Sequence, residues 1–115
     1  MYDNASALAM SMGERRMHRL WESKGIAAYV AREAHARRFA ERAGYPQSLF
    51  AVAAAAPELC DPEARSHWIA RIEGLSERDV ANVLAAVPGM SEVVRTFCTE
   101  VVLRAREELV DVVAR

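Results

Sequence analysis

Ser91-Glu92-Val93-Val94-Arg95-Thr96-Phe97-Cys98-Thr99-Glu100-Val101-Val102-Leu103-Arg104-Ala105-Arg106-Glu107-Glu108-Leu109-Val110-Asp111-Val112 decides the fold of this chain. Val94, Phe97, Cys98, Val101, Ala105, Leu109 and Val112 recur at mostly three- and four-residue steps. That spacing puts them on one face of an α-helix. Ser91 precedes the run with a side-chain oxygen suited to an N-cap. The valines have mediocre helix propensity because β-branching restricts χ1. A helix built from them relies on burying its stripe against other elements. The spacing predicts the longest helix of the chain here, acting as a spine for the rest.

Upstream, Pro88-Gly89 stops a helix bearing Val80, Val83, Leu84 and Val87. Ser76 with Asp79 three residues on resembles a capping box, aspartate replacing the usual glutamate or glutamine. Asp61-Pro62 reads as an N-cap followed by proline at the first helical position. The helix it opens presents Trp68, Ile69, Ile72 and Leu75, with Gly74 near its end. Before it, Pro46 suits the start of a helix carrying Leu49, Phe50, Val52 and Ala53, closed by Pro57. The run Ala53 to Ala56 has no large side chain and invites close packing. Residues 26–43 predict one longer helix with Ile26, Tyr29, Val30, Phe39 and Ala43 near one face, a basic opposite face, and Gly44 as its stop. Residues 14–23 predict another, ended by Gly25. Asp3 or Asn4 could cap a short helix ending near Gly13.

The chain has 115 residues, of which 52% are apolar and 27% charged, which suits one folded domain rather than a disordered segment. Helix formers dominate, and no segment alternates with period two between hairpin turns. The expected fold is all-α: a single-domain helical assembly over residues 1–115, of five to seven helices with a long C-terminal helix. No apolar run is long enough to span a bilayer, and the first ten residues lack a signal-peptide pattern. A soluble cytoplasmic protein is the expectation. Cys60 and Cys98 share no motif, and both are expected to be reduced core residues.

The net charge of −1 hides an asymmetry. Residues 14–44 carry eight basic residues against four acids; residues 45–115 carry seven arginines against eleven acids. Such a chain can attract an acidic partner at one end or pair its own halves.

Recognisable chemistry is scarce. His18, His35 and His67 lack the spacing of metal ligands, and each is better read as a solvated or half-buried helix residue. Neither cysteine has an activating neighbour sequence. The five glycines are isolated, so no phosphate-cradling loop exists. Residues 38–50 have a helix-turn-helix flavour around Gly44, but the second helix would offer few donors to bases or phosphates. The slightly negative charge also has the wrong sign for phosphate-driven affinity.

Two stretches together resemble the C-terminal lobe of HipA-type serine/threonine kinases, the toxins of some bacterial toxin–antitoxin systems. One is Tyr2-Asp3-Asn4-Ala5-Ser6-Ala7-Leu8. It is similar to the family's segment in which an aspartate after an aromatic residue binds the magnesium of ATP. The other is the tail from Trp68-Ile69 to Leu109, where Val87-Pro88-Gly89-Met90-Ser91 resembles the connection into the family's long terminal helix. The resemblance implies a magnesium-binding role for Asp3 alone. The phosphate-holding lysine, covering loop, catalytic aspartate and nearby asparagine of a kinase have no counterpart here. One carboxylate does not hold ATP and its metal ions.

The expectation is therefore a non-catalytic module of kinase C-lobe type, binding no cofactor and docking onto a protein: a missing catalytic half or an acidic, antitoxin-like partner. Arg32, Arg38 and Arg42, at six- and four-residue steps on the predicted third helix, are the candidate docking face, diluted by Glu33 and Glu41. Failing that face, the exposed side of the C-terminal helix is next in line. A small adaptor or inhibitor protein unrelated to kinases, of the kind a phage encodes, is the competing class. A DNA-binding regulator is a weaker third.

Overall fold

The structure is a computed structural model that describes residues 12–33, 35–36, 47–48 and 53–114. Helix α1 spans Glu14–Glu22 and α2 spans Ile26–Glu33. A two-residue antiparallel ladder follows, β1 His35–Ala36 with β2 Gln47–Ser48, in which His35 faces Ser48 and Ala36 faces Gln47. A helical turn at 53–55 tightens into a 3-10 turn, Ala56–Leu59. Then come α3 (Pro62–Glu73), α4 (Glu77–Ala85) and α5 (Glu92–Ala114). The fold is all-α, with that short ladder as an embellishment.

The long last helix is the spine: α1, α2, α3 and α4 all pack against α5. The middle of its stripe is fully inside, and Val94, Ala105, Leu109 and Val112 are half-buried. Phe97 is 1% exposed, and Cys98 and Val101 are buried with it. Two adjoining cores share this helix. On one side Phe97 and Val101 meet Met17 of α1 and Tyr29 and Val30 of α2, with the Tyr29 and Phe97 rings tilted at 6.1 Å. On the other side Cys98 meets Val80 and Leu84 of α4. Val94 packs against both clusters, because a helix stripe this wide reaches two neighbours.

The turn chemistry follows the sequence closely. An Asp61 carboxylate oxygen accepts from the Glu63 and Ala64 amides at 2.9 and 3.3 Å, capping α3. Ser76 and Asp79 form the capping box of α4: the Ser76 hydroxyl oxygen accepts from the Asp79 amide at 3.2 Å, and the Asp79 carboxylate accepts from the Ser76 amide at 3.2 Å. Gly89 turns the chain at φ +72°, a conformation cheap for glycine. The Ser91 oxygen accepts from the Val94 amide at 3.3 Å, and its hydroxyl donates to Glu14, joining the starts of α5 and α1.

Several expectations are corrected. The helix predicted over 26–43 ends at Glu33, because cross-strand pairing at His35 with residues 47–48 supplies the backbone partners that local propensity, a weak prior, would have found in helix. For the same reason no helix begins at Pro46: Gln47 and Ser48 are extended. The chain passes through Pro57 in a 3-10 turn rather than stopping there. Ala53 is half-buried, but Ala54, Ala55 and Ala56 are exposed, so most of the small-residue run is not closely packed. Val83 is 69% exposed although Val80 and Leu84 beside it are core, because α4 buries only one narrow face. Cys60 is exposed rather than core, while Cys98 is buried; neither is in a disulfide. The short helix expected before Gly13 lies outside the described residues.

Candidate functional site

The residues singled out in the sequence do not form a site among the described residues. Asp3, Arg38 and Arg42 lie outside them. Arg32 lies in the last turn of α2, and the ladder that follows Glu33 means that no continuous helix runs from Arg32 to Arg42. The three arginines therefore do not share one continuous helix face. Gln47 and Ser48, at the start of the second helix of the helix-turn-helix comparison, are extended, and residues 49–52 lie outside the described residues. His18 and His67 are exposed on separate helices. Among the described residues no group of three or more histidine, cysteine or acidic side chains is placed to hold a metal ion.

Two open clefts flank the spine instead. The first, of about 340 Å³, lies between α1 and α5, with Met17, Trp21, Val93 and Phe97 as its apolar walls and His18, Glu92 and Thr96 around them. Trp21 remains 44% exposed there. The second, of about 530 Å³, lies between α3 and α5. Trp68, Ile72 and Leu75 line one wall; Val102, Ala105 and Leu109 line the other; Arg71 and Arg106 complete it.

The second cleft is built by its arginines. A nitrogen of Arg65, early in α3, donates to the Val113 carbonyl at 2.9 Å, near the end of α5. Arg106 donates to the Leu75 carbonyl just beyond α3. These two ties at opposite ends make α3 and α5 antiparallel. They also satisfy carbonyls that helix ends leave without partners. Helix α3 buries none of its residues fully, so these contacts, its half-buried Ile69 and Ile72, and Leu75 just beyond it hold it in place.

Trp68 stands at the cleft 61% exposed. Arg71 places its guanidinium carbon 5.8 Å from the centre of the indole ring, a cation–π contact. His67 meets the indole edge-on at 5.6 Å. Trp68 is thus oriented by its neighbours while much of its surface faces water. In the sequence Trp68 reads as one more apolar position of an amphipathic helix. The available signal was Arg71 at i+3, which can stack on the ring only if both are at the surface.

Titratable groups away from the clefts carry the perturbed protonation. Hydrogen bonds from the Ser76 side chain and backbone hold the Asp79 carboxyl below its ordinary value. Burial pushes the Cys98 thiol up, which makes it a poor nucleophile. Among the described residues no helix is long and apolar enough to cross a membrane.

No protein-family model, curated protein or solved structure matches the chain.

Proposed function

We propose that this chain is a non-catalytic helical interaction module that docks onto a protein partner, in the manner of a HipA-like kinase C-terminal lobe. The observation that carries the reading is a pair of apolar clefts along α5, open among the described residues, each with a tryptophan standing substantially in solvent. Large aromatic side chains held at the rim of an apolar concavity are the usual anchors of protein interfaces. Catalytic sites, by contrast, gather perturbed titratable groups in a cleft. Here the Asp79 shift comes from a helix cap and the Cys98 shift from core packing. The kinase side of the proposal rests on Val87-Pro88-Gly89-Met90-Ser91, which forms the connection between α4 and α5, and on the sequence around Asp3.

The test is site-directed photo-crosslinking in the source cell. A photoreactive residue replaces Trp21 or Trp68, and a control replaces exposed Glu77 on α4. A discrete protein crosslinked from a cleft position and not from the control supports docking. Its identity separates a catalytic half or antitoxin-like protein from an unrelated target. Crosslinking nowhere, or transfer of phosphate from ATP by the purified chain, overturns the proposal.

A further inference from the structure

The groove between α3 and α5 has a regular construction. The α3 wall supplies residues 68, 71, 72 and 75, and the α5 wall supplies residues 102, 105, 106 and 109. The α5 residues follow the i, i+3, i+4, i+7 rule of a single helix face; Trp68, Arg71 and Ile72 share a face of α3, and Leu75, just past the Gly74 cap, extends that wall. Each wall runs for about two turns, or about 10 Å. Each contributes three apolar side chains and one arginine, and neither contributes a carboxylate.

We infer that this groove receives an amphipathic helix whose apolar stripe is flanked by carboxylates. The inference rests on the docking-module reading above and names the partner chemistry for this cleft. Three observations point to a helix with acidic flanks. The walls are helices, whose backbone groups are satisfied internally, so the groove offers an incoming chain only side chains. An extended peptide would leave its own amides and carbonyls without partners there, whereas a helix brings its own satisfied. The paired ridges at three- and four-residue spacing suit a third helix lying between them. Finally, Arg71 is held at the rim by Trp68, and Arg106 is anchored through one nitrogen to Leu75, leaving further donors on its fork. Two positive groups beside an apolar floor favour carboxylates on the occupant and disfavour lysines.

The test uses the full chain carrying Trp21→Phe, so that Trp68 is the one remaining tryptophan of the two and reports directly. The probes are two synthetic 18-residue helical peptides with the same leucine stripe, flanked in one by glutamate and in the other by lysine. The glutamate peptide is expected to shift Trp68 emission and bind about tenfold more tightly than the lysine peptide, a preference that shrinks as salt rises. Arg71→Glu, an exposed change that leaves the core intact, is expected to reverse the order. Equal affinities, or no reversal, overturn the inference, as does the absence of binding by either peptide. Emission that changes with protein concentration alone also overturns it, by assigning the groove to a second copy of the chain. If the peptides fail while crosslinks form from position 21, the groove inference falls and the module reading stands. If crosslinks form nowhere, the module reading falls.

Discussion

Lys24 lies at φ +53°, the one non-glycine residue in the left-handed region among the described residues. It occupies the position just past the end of α1 where glycine is usual. The Gly25 amide donates to the Leu20 carbonyl at 2.8 Å, and the Lys24 amide to the Trp21 carbonyl at 3.1 Å, the paired bonds of a Schellman ending. Gly25 cannot exchange roles with Lys24, since a Cβ there would sit 3.0 Å from the Ser23 hydroxyl and 3.1 Å from a Leu20 methyl. Lys24→Gly is expected to raise stability by about 0.5–1 kcal/mol, by relieving left-handed strain at an exposed site. A lower urea midpoint would contradict that. Asp79 carries a second residue-scale expectation. Its folded pKa is depressed, so its stabilising effect is complete above the unfolded carboxyl's pKa and is lost as pH falls through the folded value. Unfolding midpoints measured from neutral pH down to about pH 2, below the ordinary aspartate range, should decline less steeply for Asp79→Asn than for the parent chain.

At the scale of elements, α5 and α4 show how a stripe becomes a core. Phe97 reaches Met17, Tyr29 and Val30, residues from two other helices, so removing its ring empties the junction of three elements. Phe97→Ala is expected to cost about 3–5 kcal/mol in chemical denaturation, the usual range for a buried phenylalanine. Val83→Ala, one step off the buried face of α4, should stay within about 0.5 kcal/mol because that side chain is already in solvent. Equal costs at the two positions would mean that the faces are misassigned. The pairs Arg104–Glu107 at 3.2 Å and Arg104–Glu108 at 2.6 Å decorate the outer side of α5. Partly exposed pairs within one helix add only a few tenths of a kcal/mol each, so burial and not charge holds the spine.

Across the whole molecule, stability is uneven. Helices α1, α2 and α4 each place at least one residue in a core cluster, while α3 places none and is tied by two arginine–carbonyl bonds. Regions with few buried apolar contacts open first. Amides of α3 should therefore exchange with solvent faster than those of the middle of α5. Arg106→Ala should speed α3 exchange by about ten- to hundredfold, the loss of roughly 1.5–3 kcal/mol for one hydrogen bond from a charged donor, and leave α1 and α2 unchanged. Uniform acceleration in all helices would show that α3 is not a separate opening unit. A helix that opens readily beside a spine that does not is also a suitable wall for a groove that adapts to an occupant.

How much of this was legible in the sequence follows from the range of each interaction. Caps at Asp61, Ser76 and Ser91, the stop at Pro88-Gly89 and the stripe of α5 were readable because their partners lie within four residues. The all-α class followed from those local signals alone. The end of α2 at Glu33 was not readable, because His35 pairs with Ser48 across a stretch whose local propensity favours helix. Met17 gave no signal as a core residue among the charges of α1; it is buried in a cluster with Tyr29 and Val30 of α2 and Phe97 and Val101 of α5. The groove escaped for the same reason. Trp68, Arg71 and Leu109 are far apart along the chain, and whether an apolar residue is floor, rim or core depends on what packs opposite it. Sequence determined which segments are helices and where most of them end. Tertiary packing alone decided which apolar faces are covered, because burial is a relation between distant segments.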